Sequence, residues 1–288
     1  MLQHPASRRS HTGQMARLSA YVQASHPEPT LAVTSLTTVL ALSAGAGPSA
    51  LVLGLAVLAG QLSVGWSNDW LDADRDTAVG RPDKPVTRGA VTPRALRSAA
   101  VAAAAVCLPL SALLGWRAGG LHVVAVAGAW AYNLRLKATA WSWLPYAFAF
   151  AALPSVVTLT LPGHPLAPPW ATGAGLLLGI GAHLANALPD LQDDLAAGVR
   201  GLPHRLGARL SAGLSAALLL GATGCLVFGP GSPGPVRLGA LGAAAAGCGL
   251  GLLRSTRPGS RASFRAVLLV AAVDVALLLA SGSSLASP

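Results

Sequence analysis

The sequence predicts an all-α, polytopic membrane protein with nine transmembrane helices, and three observations lead to this fold class. Of the 288 residues, 53% are hydrophobic and only 10% are charged, whereas ordinary soluble domains carry about 25% charged residues. The mean hydropathy of the chain is +0.56. The chain also divides into apolar stretches of membrane-spanning length, and its basic residues accumulate at alternate ends of these stretches.

Nine apolar stretches, each bounded by charged residues, Pro or Gly, mark the predicted spans. A helix needs roughly 20 apolar residues to cross the hydrocarbon core. The spans fall at about 30–46, 49–67, 97–115, 119–134, 141–161, 170–190, 208–229, 235–253 and 264–284. Because little sequence remains between them, we predict a single transmembrane domain over residues 29–288. Residues 1–28 form a polar tail that lacks the apolar run of a signal peptide.

The distribution of Lys and Arg predicts the orientation, because these residues accumulate in cytoplasmic loops. With the N-terminus in the cytoplasm, 18 of the 20 Lys and Arg residues fall on the inner side, and the exceptions are Arg117 and Arg237. A miscounted span would scramble so one-sided a pattern. We therefore expect a multi-pass protein of the cell membrane whose N-terminus lies in the cytoplasm.

Composition also excludes several classes of function. The net charge is +10, but the basic residues are dispersed and lack interleaved aromatic residues, so we expect no nucleic-acid partner. The three cysteines, Cys107, Cys225 and Cys248, all lie within apolar stretches. A disulfide framework or a zinc site is therefore not expected.

Eight of the ten acidic residues lie in two short segments, and the other two are Glu28 and Asp274. The segments close the second and sixth spans and read Asn68-Asp69-Trp70-Leu71-Asp72-Ala73-Asp74-Arg75-Asp76, with Asp83 just beyond, and Asn186-Ala187-Leu188-Pro189-Asp190-Leu191-Gln192-Asp193-Asp194. Both contain Asn-x3-Asp-x3-Asp, which an α-helix places along one face. We call Asn68, Asp72 and Asp76 the first stripe, and Asn186, Asp190 and Asp194 the second stripe. Because four spans separate them, both open at the same membrane face.

Two stripes of oxygen ligands at one end of a bundle would repel each other without positive charge between them. Mg²⁺ prefers oxygen ligands and completes its shell with water and phosphate oxygens. A pair of Mg²⁺ ions would neutralise a diphosphate and make it a good leaving group. The alternative is a pair of solvated helix ends, and the identical spacing of the two copies argues against it. Asp69, Asp74 and Asp193 lie off the stripes, where solvent exposure or a supporting role is expected.

Basic residues follow the first stripe in the segment Arg81-Pro82-Asp83-Lys84-Pro85-Val86-Thr87-Arg88-Gly89. Arg offers paired donors to phosphate oxygens, and Lys offers a point charge. We expect Arg81 and Lys84 to contact phosphate. For Arg88, phosphate contact and simple accumulation of positive charge in a cytoplasmic loop are equally good explanations.

Two further segments on the inner side contribute candidate residues. In Tyr132-Asn133-Leu134-Arg135-Leu136-Lys137, the tyrosine could lie over a cavity or belong to the interfacial aromatic belt, and Lys137 could reach the phosphates. The segment Gly201-Leu202-Pro203-His204-Arg205-Leu206-Gly207 could close over the site. There Arg205 is a weaker phosphate candidate, and His204 is assigned no role.

These motifs resemble the UbiA superfamily of intramembrane prenyltransferases over essentially the whole chain. The resemblance rests on Asn-Asp-x2-Asp-x3-Asp ending the second span, the Arg-Pro-x2-Pro loop, Tyr-Asn-x2-Leu-Lys-x-Thr after the fourth span, and Asp-x3-Asp ending the sixth. It implies a helical bundle with a central cavity that is open laterally to the bilayer. It also implies that the two stripes hold two Mg²⁺ ions on a prenyl diphosphate, with Arg81, Lys84 and Lys137 assisting.

The resemblance further implies a mechanism without a covalent nucleophile. Departure of diphosphate would leave an allylic cation that Tyr132 could shield, and an electron-rich acceptor would attack it. Asp83 or a nearby Asp is the plausible base. The residues with expected catalytic roles are Asp72, Asp76, Asp190, Asp194, Lys137 and Tyr132, and those expected to bind substrate are Asn68, Asn186, Arg81, Lys84, Arg88 and Arg205.

The acceptor is predicted to be aromatic, of the hydroxybenzoate or quinone-precursor type. A phosphoribosyl or glyceryl lipid acceptor and cyclisation of the prenyl chain are alternatives within the superfamily. From another class, the carboxylates could select ions in a divalent-cation transporter. A transport path needs polar residues near midmembrane, whereas here the acids gather at one face and only Asp274 is expected to lie deep.

Overall fold

The computed structural model describes residues 5–82, 84–196, 198–254 and 262–285. Throughout these ranges the regular secondary structure is helical, which confirms the all-α fold class. Two short 3-10 helices lie at Leu136–Ala138 and Gly282–Leu285. In chain order the α-helices are α1 (Pro5–Ala24), α2 (Pro27–Ser43), α3 (Ser49–Leu71), α4 (Ala73–Ala78), α5 (Pro93–Ala112), α6 (Trp116–Leu134), α7 (Leu144–Thr158), α8 (Pro169–Ala187), α9 (Leu191–Ala196), α10 (Leu202–Phe228), α11 (Pro235–Arg254) and α12 (Ala262–Ala280).

Each predicted span overlaps one long helix, namely α2, α3, α5, α6, α7, α8, α10, α11 and α12, while α1 lies outside the predicted spans. Among the described residues, α3, α5 and α10 are by length and composition alone both long and apolar enough to cross a membrane. α7 is a shorter apolar helix of 15 residues. The structure is thus compatible with nine spans, and the number itself remains a prediction.

Close packing of α7 against α8 depends on two glycines. A Cβ atom added at Gly175 would lie 2.2 Å from the carbonyl oxygen of Phe150, and one added at Gly179 would lie 2.5 Å from that of Tyr146. Small residues let membrane helices approach until their backbones touch. The side chains of these two helices are therefore held in a defined register from the polar end of the bundle inward.

The N-terminal segment, expected to be a polar tail, contains α1 and packs against the bundle. Ala20 and Ala24, one helical turn apart, are buried in a cluster with Val91 and Leu96. The indole nitrogen of Trp66 donates to the carbonyl oxygen of Tyr21 at 2.8 Å. Two alanines in a polar segment are too weak a pattern to predict this contact, since the partners come from α3, α5 and the loop before α5.

The two stripes differ in backbone geometry, although the sequence predicted a continuous helix for both. Along the first, Asp72 N donates to Asn68 O at 3.0 Å and Asp76 N to Asp72 O at 2.8 Å, so helical spacing continues from α3 into α4. Along the second, α8 ends at Ala187 and α9 begins only at Leu191. The expectation of one continuous helix is wrong there, because Pro189 has no N–H to continue the hydrogen bonding.

Candidate active site

The two stripes lie at the same end of the bundle. Arg81, in the loop after α4, reaches across to the second stripe, with its Nη2 atom 3.6 Å from Oδ2 of Asp190. Asp72 and Asp76 are buried at 8% and 4% exposure, whereas the Asp190 side chain is 49% exposed. The carboxylates of the first stripe are therefore more deeply buried than that of Asp190.

Asp72 is the most heavily paired member of the stripes. The Lys137 ammonium contacts its Oδ1 atom, and Arg75 Nη2 lies 2.7 Å from its Oδ2 atom. Lys137 is carried by the 3-10 helix after α6 and is itself largely buried. The structure thus brings together the two residues that the sequence placed at the ends of the second and fourth spans.

Asp69 lies beside the first stripe and organises the basic loop. Its side chain is 2% exposed and accepts hydrogen bonds from Lys84 Nζ at 2.7 Å and from His26 Nε2 at 2.9 Å. Lys84, expected to contact phosphate, is therefore held by a buried carboxylate. For Asp69, solvent exposure and a supporting role were both considered, and this geometry fits the supporting role. Asp74 is exposed, as expected.

Arg88 and Arg205 are directed elsewhere. Arg88 is exposed, and its guanidinium donates to Oε1 of Gln23 on α1 at 2.5 Å. Arg205 is exposed, and its Nε donates to the carbonyl oxygen of Arg200 at 3.0 Å. Neither contact joins a stripe, so phosphate binding by these two arginines stays a prediction without geometric support. Asp83, the predicted base, lies outside the described residues.

Asn68 is oriented by a network within the bundle. Its Nδ2 atom donates to Oδ1 of Asn133 at 3.3 Å, and Asn133 in turn donates to Val64 O at 2.9 Å and to Ser67 Oγ at 2.8 Å. Because the Asn68 Nδ2 atom donates this hydrogen bond, its Oδ1 atom is the one available to bind a cation. Asn133 was not among the predicted site residues, although it follows Tyr132 directly.

Tyr132, Tyr146 and His183 pack against one another and are called the aromatic group here. The ring centroids of Tyr132 and Tyr146 are 5.3 Å apart, and His183 lies 5.9 Å from Tyr132 and 4.9 Å from Tyr146. The Tyr146 side chain also interacts with that of Asn186 in the second stripe. The sequence predicted only Tyr132. The available signal for His183 was its position one helical turn before Asn186.

The first turn of α10 packs against this group. Leu202 N donates to Ser142 Oγ at 2.9 Å, and Ser142 Oγ is 3.0 Å from His183 Nε2. The His204 side chain is 4% exposed and places Nε2 3.4 Å from Oδ2 of Asp194. Sequence reasoning assigned no role to His204, because nothing local indicated that its ring would turn inward to the second stripe.

Burial shifts the ionisation of two groups at this end. Withdrawal from water raises the pKa of the Asp76 carboxyl, while nearby Lys84 opposes that rise. Withdrawal from water lowers the pKa of the Lys137 ammonium, and the adjacent Asp72 carboxylate opposes that fall. Burial disfavours the charged form of each group, so each depends on an opposite charge nearby.

The donor chemistry of the stripes fits a hard divalent cation. Within the described residues, no three His, Cys, Asp or Glu side chains are already gathered around one point. Each stripe offers two carboxylates and one carboxamide, all with oxygen donors of the kind that Mg²⁺ prefers. A carboxylate has about four lone-pair sites, so Asp72 can contact Lys137 and still accept another partner.

Residues 31–279 match the model of the UbiA prenyltransferase family. The chain belongs to this family. It is therefore an integral membrane protein of the prenyltransferase class, as the sequence predicted. Among curated members, it is 30% identical to digeranylgeranylglyceryl phosphate synthase of Natronomonas pharaonis over 68% of this chain and 72% of that protein. It is 33% identical to the bacteriochlorophyll synthase 33 kDa chain of Cereibacter sphaeroides over 57% of each.

Solved structures of UbiA homologues share the fold. A homologue from Archaeoglobus fulgidus bound to GPP and Mg²⁺ superposes with a TM-score of 0.66 at 16% identity, covering 92% of this chain and 99% of that one. A homologue from Aeropyrum pernix gives a TM-score of 0.65 at 21% identity, covering 88% and 98%. At these identities the likeness establishes the UbiA fold and not the ligands.

Replacing Asp69 with Ala should destabilise the protein, because the buried Lys84 ammonium loses its carboxylate partner. We expect the free energy of unfolding to fall by roughly 1–3 kcal/mol, the cost of leaving a buried donor unsatisfied. Thermal denaturation of the detergent-purified protein would measure it. The control is Asp74→Ala, which removes an exposed carboxylate from the adjacent helix. Equal melting midpoints for the two variants would show that Asp69 has no supporting role.

Proposed function

We propose that this protein transfers a prenyl group from a prenyl diphosphate to an acceptor within the membrane, and that the diphosphate binds between the two stripes. One observation carries the proposal. Two segments with the same Asn-x3-Asp-x3-Asp spacing, far apart in the sequence, meet at one end of an apolar bundle, where Arg81 approaches Asp190 within 3.6 Å. Membership of the UbiA family supplies the reaction class.

Mg²⁺ is the cofactor in this proposal, and its ligands are Asn68, Asp72, Asp76, Asn186, Asp190 and Asp194. Bound there, the metal would neutralise the diphosphate and make it a better leaving group. Support comes from the oxygen-only donor set and from the Archaeoglobus fulgidus homologue, which was solved with GPP and Mg²⁺.

The basic residues around the stripes hold the diphosphate in this proposal. Arg81 borders the second stripe, while Lys84 and Lys137 lie beside the first. Because both lysines are already held by carboxylates, their ammonium groups are positioned before a ligand arrives. Such preorganisation stabilises developing negative charge on the departing diphosphate at little cost in reorganisation.

The aromatic group stabilises the prenyl cation that remains after the diphosphate leaves. The faces of Tyr132 and Tyr146 carry negative charge density, and cation–π contacts are stronger where water is excluded. The apolar walls below the stripes would keep water from the cation until the acceptor reacts. The protein thus contributes positioning, electrostatic stabilisation and exclusion of water rather than a nucleophile.

Two classes of acceptor remain candidates. The sequence prediction of an aromatic acceptor stays a prediction. A lipid alcohol is the second candidate, favoured by the relative that synthesises digeranylgeranylglyceryl phosphate and is matched over 72% of its length. Purified protein supplied with a labelled prenyl diphosphate and either hydroxybenzoate or a glyceryl phosphate lipid would separate them by the labelled product.

Prenyl transfer can be separated from divalent-cation transport in one experiment. Protein reconstituted in liposomes is supplied with farnesyl or geranylgeranyl diphosphate, with and without Mg²⁺, and both diphosphate release and Mg²⁺ entry are followed. We expect release that requires Mg²⁺. Flux of Mg²⁺ without any release of diphosphate would overturn the enzymatic proposal.

Asp72→Asn and Asp190→Asn should each abolish turnover, since each removes a charged oxygen ligand from one stripe. The expected loss is at least about 100-fold, because even groups surrounding a metal ligand are worth ~10–100-fold. Release of diphosphate at limiting Mg²⁺ measures it, and recovery of the variants in membranes checks their insertion. The matched control is Asp74→Asn, which should keep full activity. Near-normal activity of either stripe variant would refute the ligand assignment.

The stripes face the cytoplasm in this proposal, on the strength of the Lys and Arg distribution. Single cysteines at exposed Gly80, near the stripes, and at exposed Leu166, at the opposite end, report the orientation once the three native cysteines are replaced. In intact cells, a membrane-impermeant maleimide should label residue 166 and spare residue 80. The reverse labelling would invert the predicted topology.

A further inference from the structure

Asp274 is an acidic residue that the mechanism above does not use. It lies on α12, is fully buried, and its Oδ1 atom accepts a hydrogen bond from Thr223 Oγ1 at 2.6 Å. Its Oδ2 atom is buried and has no hydrogen-bond partner among the residues that the structure describes. A buried polar atom without a partner is costly, so a carboxyl group retained in this environment calls for an explanation.

A small cavity of about 20 Å³ adjoins Asp274 among α2, α7, α8, α10 and α12. Among the described residues that line it, Asp274 is the one with an ionisable side chain, and the others include Leu36, Phe150, Leu178, Leu226 and Leu278. This volume holds about one water molecule. A guest here therefore meets mainly apolar side chains and one carboxyl group.

The cavity continues the face of α7 that borders the active site. Tyr146 of the aromatic group is followed at four-residue intervals by Phe150 and Pro154, both of which line the cavity, so the three share one helix face. At 1.5 Å per residue, the cavity lies about 6–12 Å from Tyr146 toward the opposite end of the bundle. Gly175 and Leu178 of α8, which packs against α7, also line the cavity.

We propose that Asp274 limits the length of the prenyl chain that the enzyme accepts, an inference that rests on the proposed function. A prenyl tail whose diphosphate lies between the stripes runs along the α7 and α8 faces toward this cavity. A shorter tail stops before Asp274 and leaves room for a water molecule beside Oδ2. A longer tail places its terminal methyl groups against Oδ2 and strips that atom of its only available partner.

The cavity holds only about one water molecule, so a tail that reaches it must also displace its walls. The polar contribution of Asp274 can be tested apart from this steric one. Asp274→Leu introduces a larger, apolar side chain. A steric stop would shift the preference of this variant toward shorter donors, because Leu fills more of the cavity. A polar stop shifts it toward longer donors, because the cost of stripping water from a carboxyl group has been removed.

The experiment measures kcat/KM for a donor series from geranyl through farnesyl and geranylgeranyl diphosphate to longer chains, at fixed acceptor and Mg²⁺. The comparison is between the kcat/KM of the preferred donor and that of the next longer donor that the wild-type protein uses poorly. We expect Asp274→Leu to raise the kcat/KM of the longer donor, relative to that of the preferred one, by about tenfold, in line with the cost of an unsatisfied buried group. Asp274→Val should shift this ratio of kcat/KM values in the same direction, and it replaces Asp274→Leu in the test if the leucine variant does not fold. Asp274→Asn keeps shape and polarity and should retain the wild-type profile.

The possible results separate this inference from the function on which it rests. If the wild-type protein and all variants release no diphosphate from any donor, both proposals fail. If the variants are active and the donor profile of Asp274→Leu and Asp274→Val is unchanged or shifts to shorter chains, the polar limit is refuted while prenyl transfer stands. A shift to longer donors that is absent in Asp274→Asn supports it.

Discussion

Carboxylates gathered at one end of an apolar helix bundle repel one another strongly unless positive charge lies between them. Here that charge comes from separate parts of the chain. Lys84 pairs with Asp69, Lys137 with Asp72, and Arg81 with Asp190. Each pair joins the end of one helix to a loop that follows another. Neutralisation of these acids therefore also joins separate parts of the chain at the polar end of the molecule.

Below this end, the geometry is governed by helix contact rather than by charge. The backbones of α7 and α8 touch at Gly175 and Gly179, which fixes Tyr146 and His183 relative to each other. The same helix faces then continue to the cavity at Asp274. One rigid pair of helices thus connects the place where a diphosphate would leave with the place where a long apolar tail would end. A chemistry without a covalent nucleophile depends on that kind of positioning.

Much of this arrangement could be predicted from local patterns. Apolar stretches of sufficient length indicated where the long helices after α1 lie in the described residues, because the bilayer imposes its thickness on the sequence. The spacing of the acids indicated two stripes, because helical periodicity is a local property. The same reasoning failed at Pro189, which divides the second segment, and it did not reveal that α1 packs through Ala20 and Ala24.

By itself, the sequence determined the all-α class, the positions of the apolar stretches and the residue types at their polar ends. Only the tertiary structure decided which polar and charged side chains pair with each other. Asp69 holds Lys84 and His26, Arg88 turns to Gln23, and the ring of His204 approaches Asp194. The physical reason is that spacing along one helix sets the face on which a side chain lies. The partner on that face comes from another helix or loop, whose approach depends on the packing of the whole bundle.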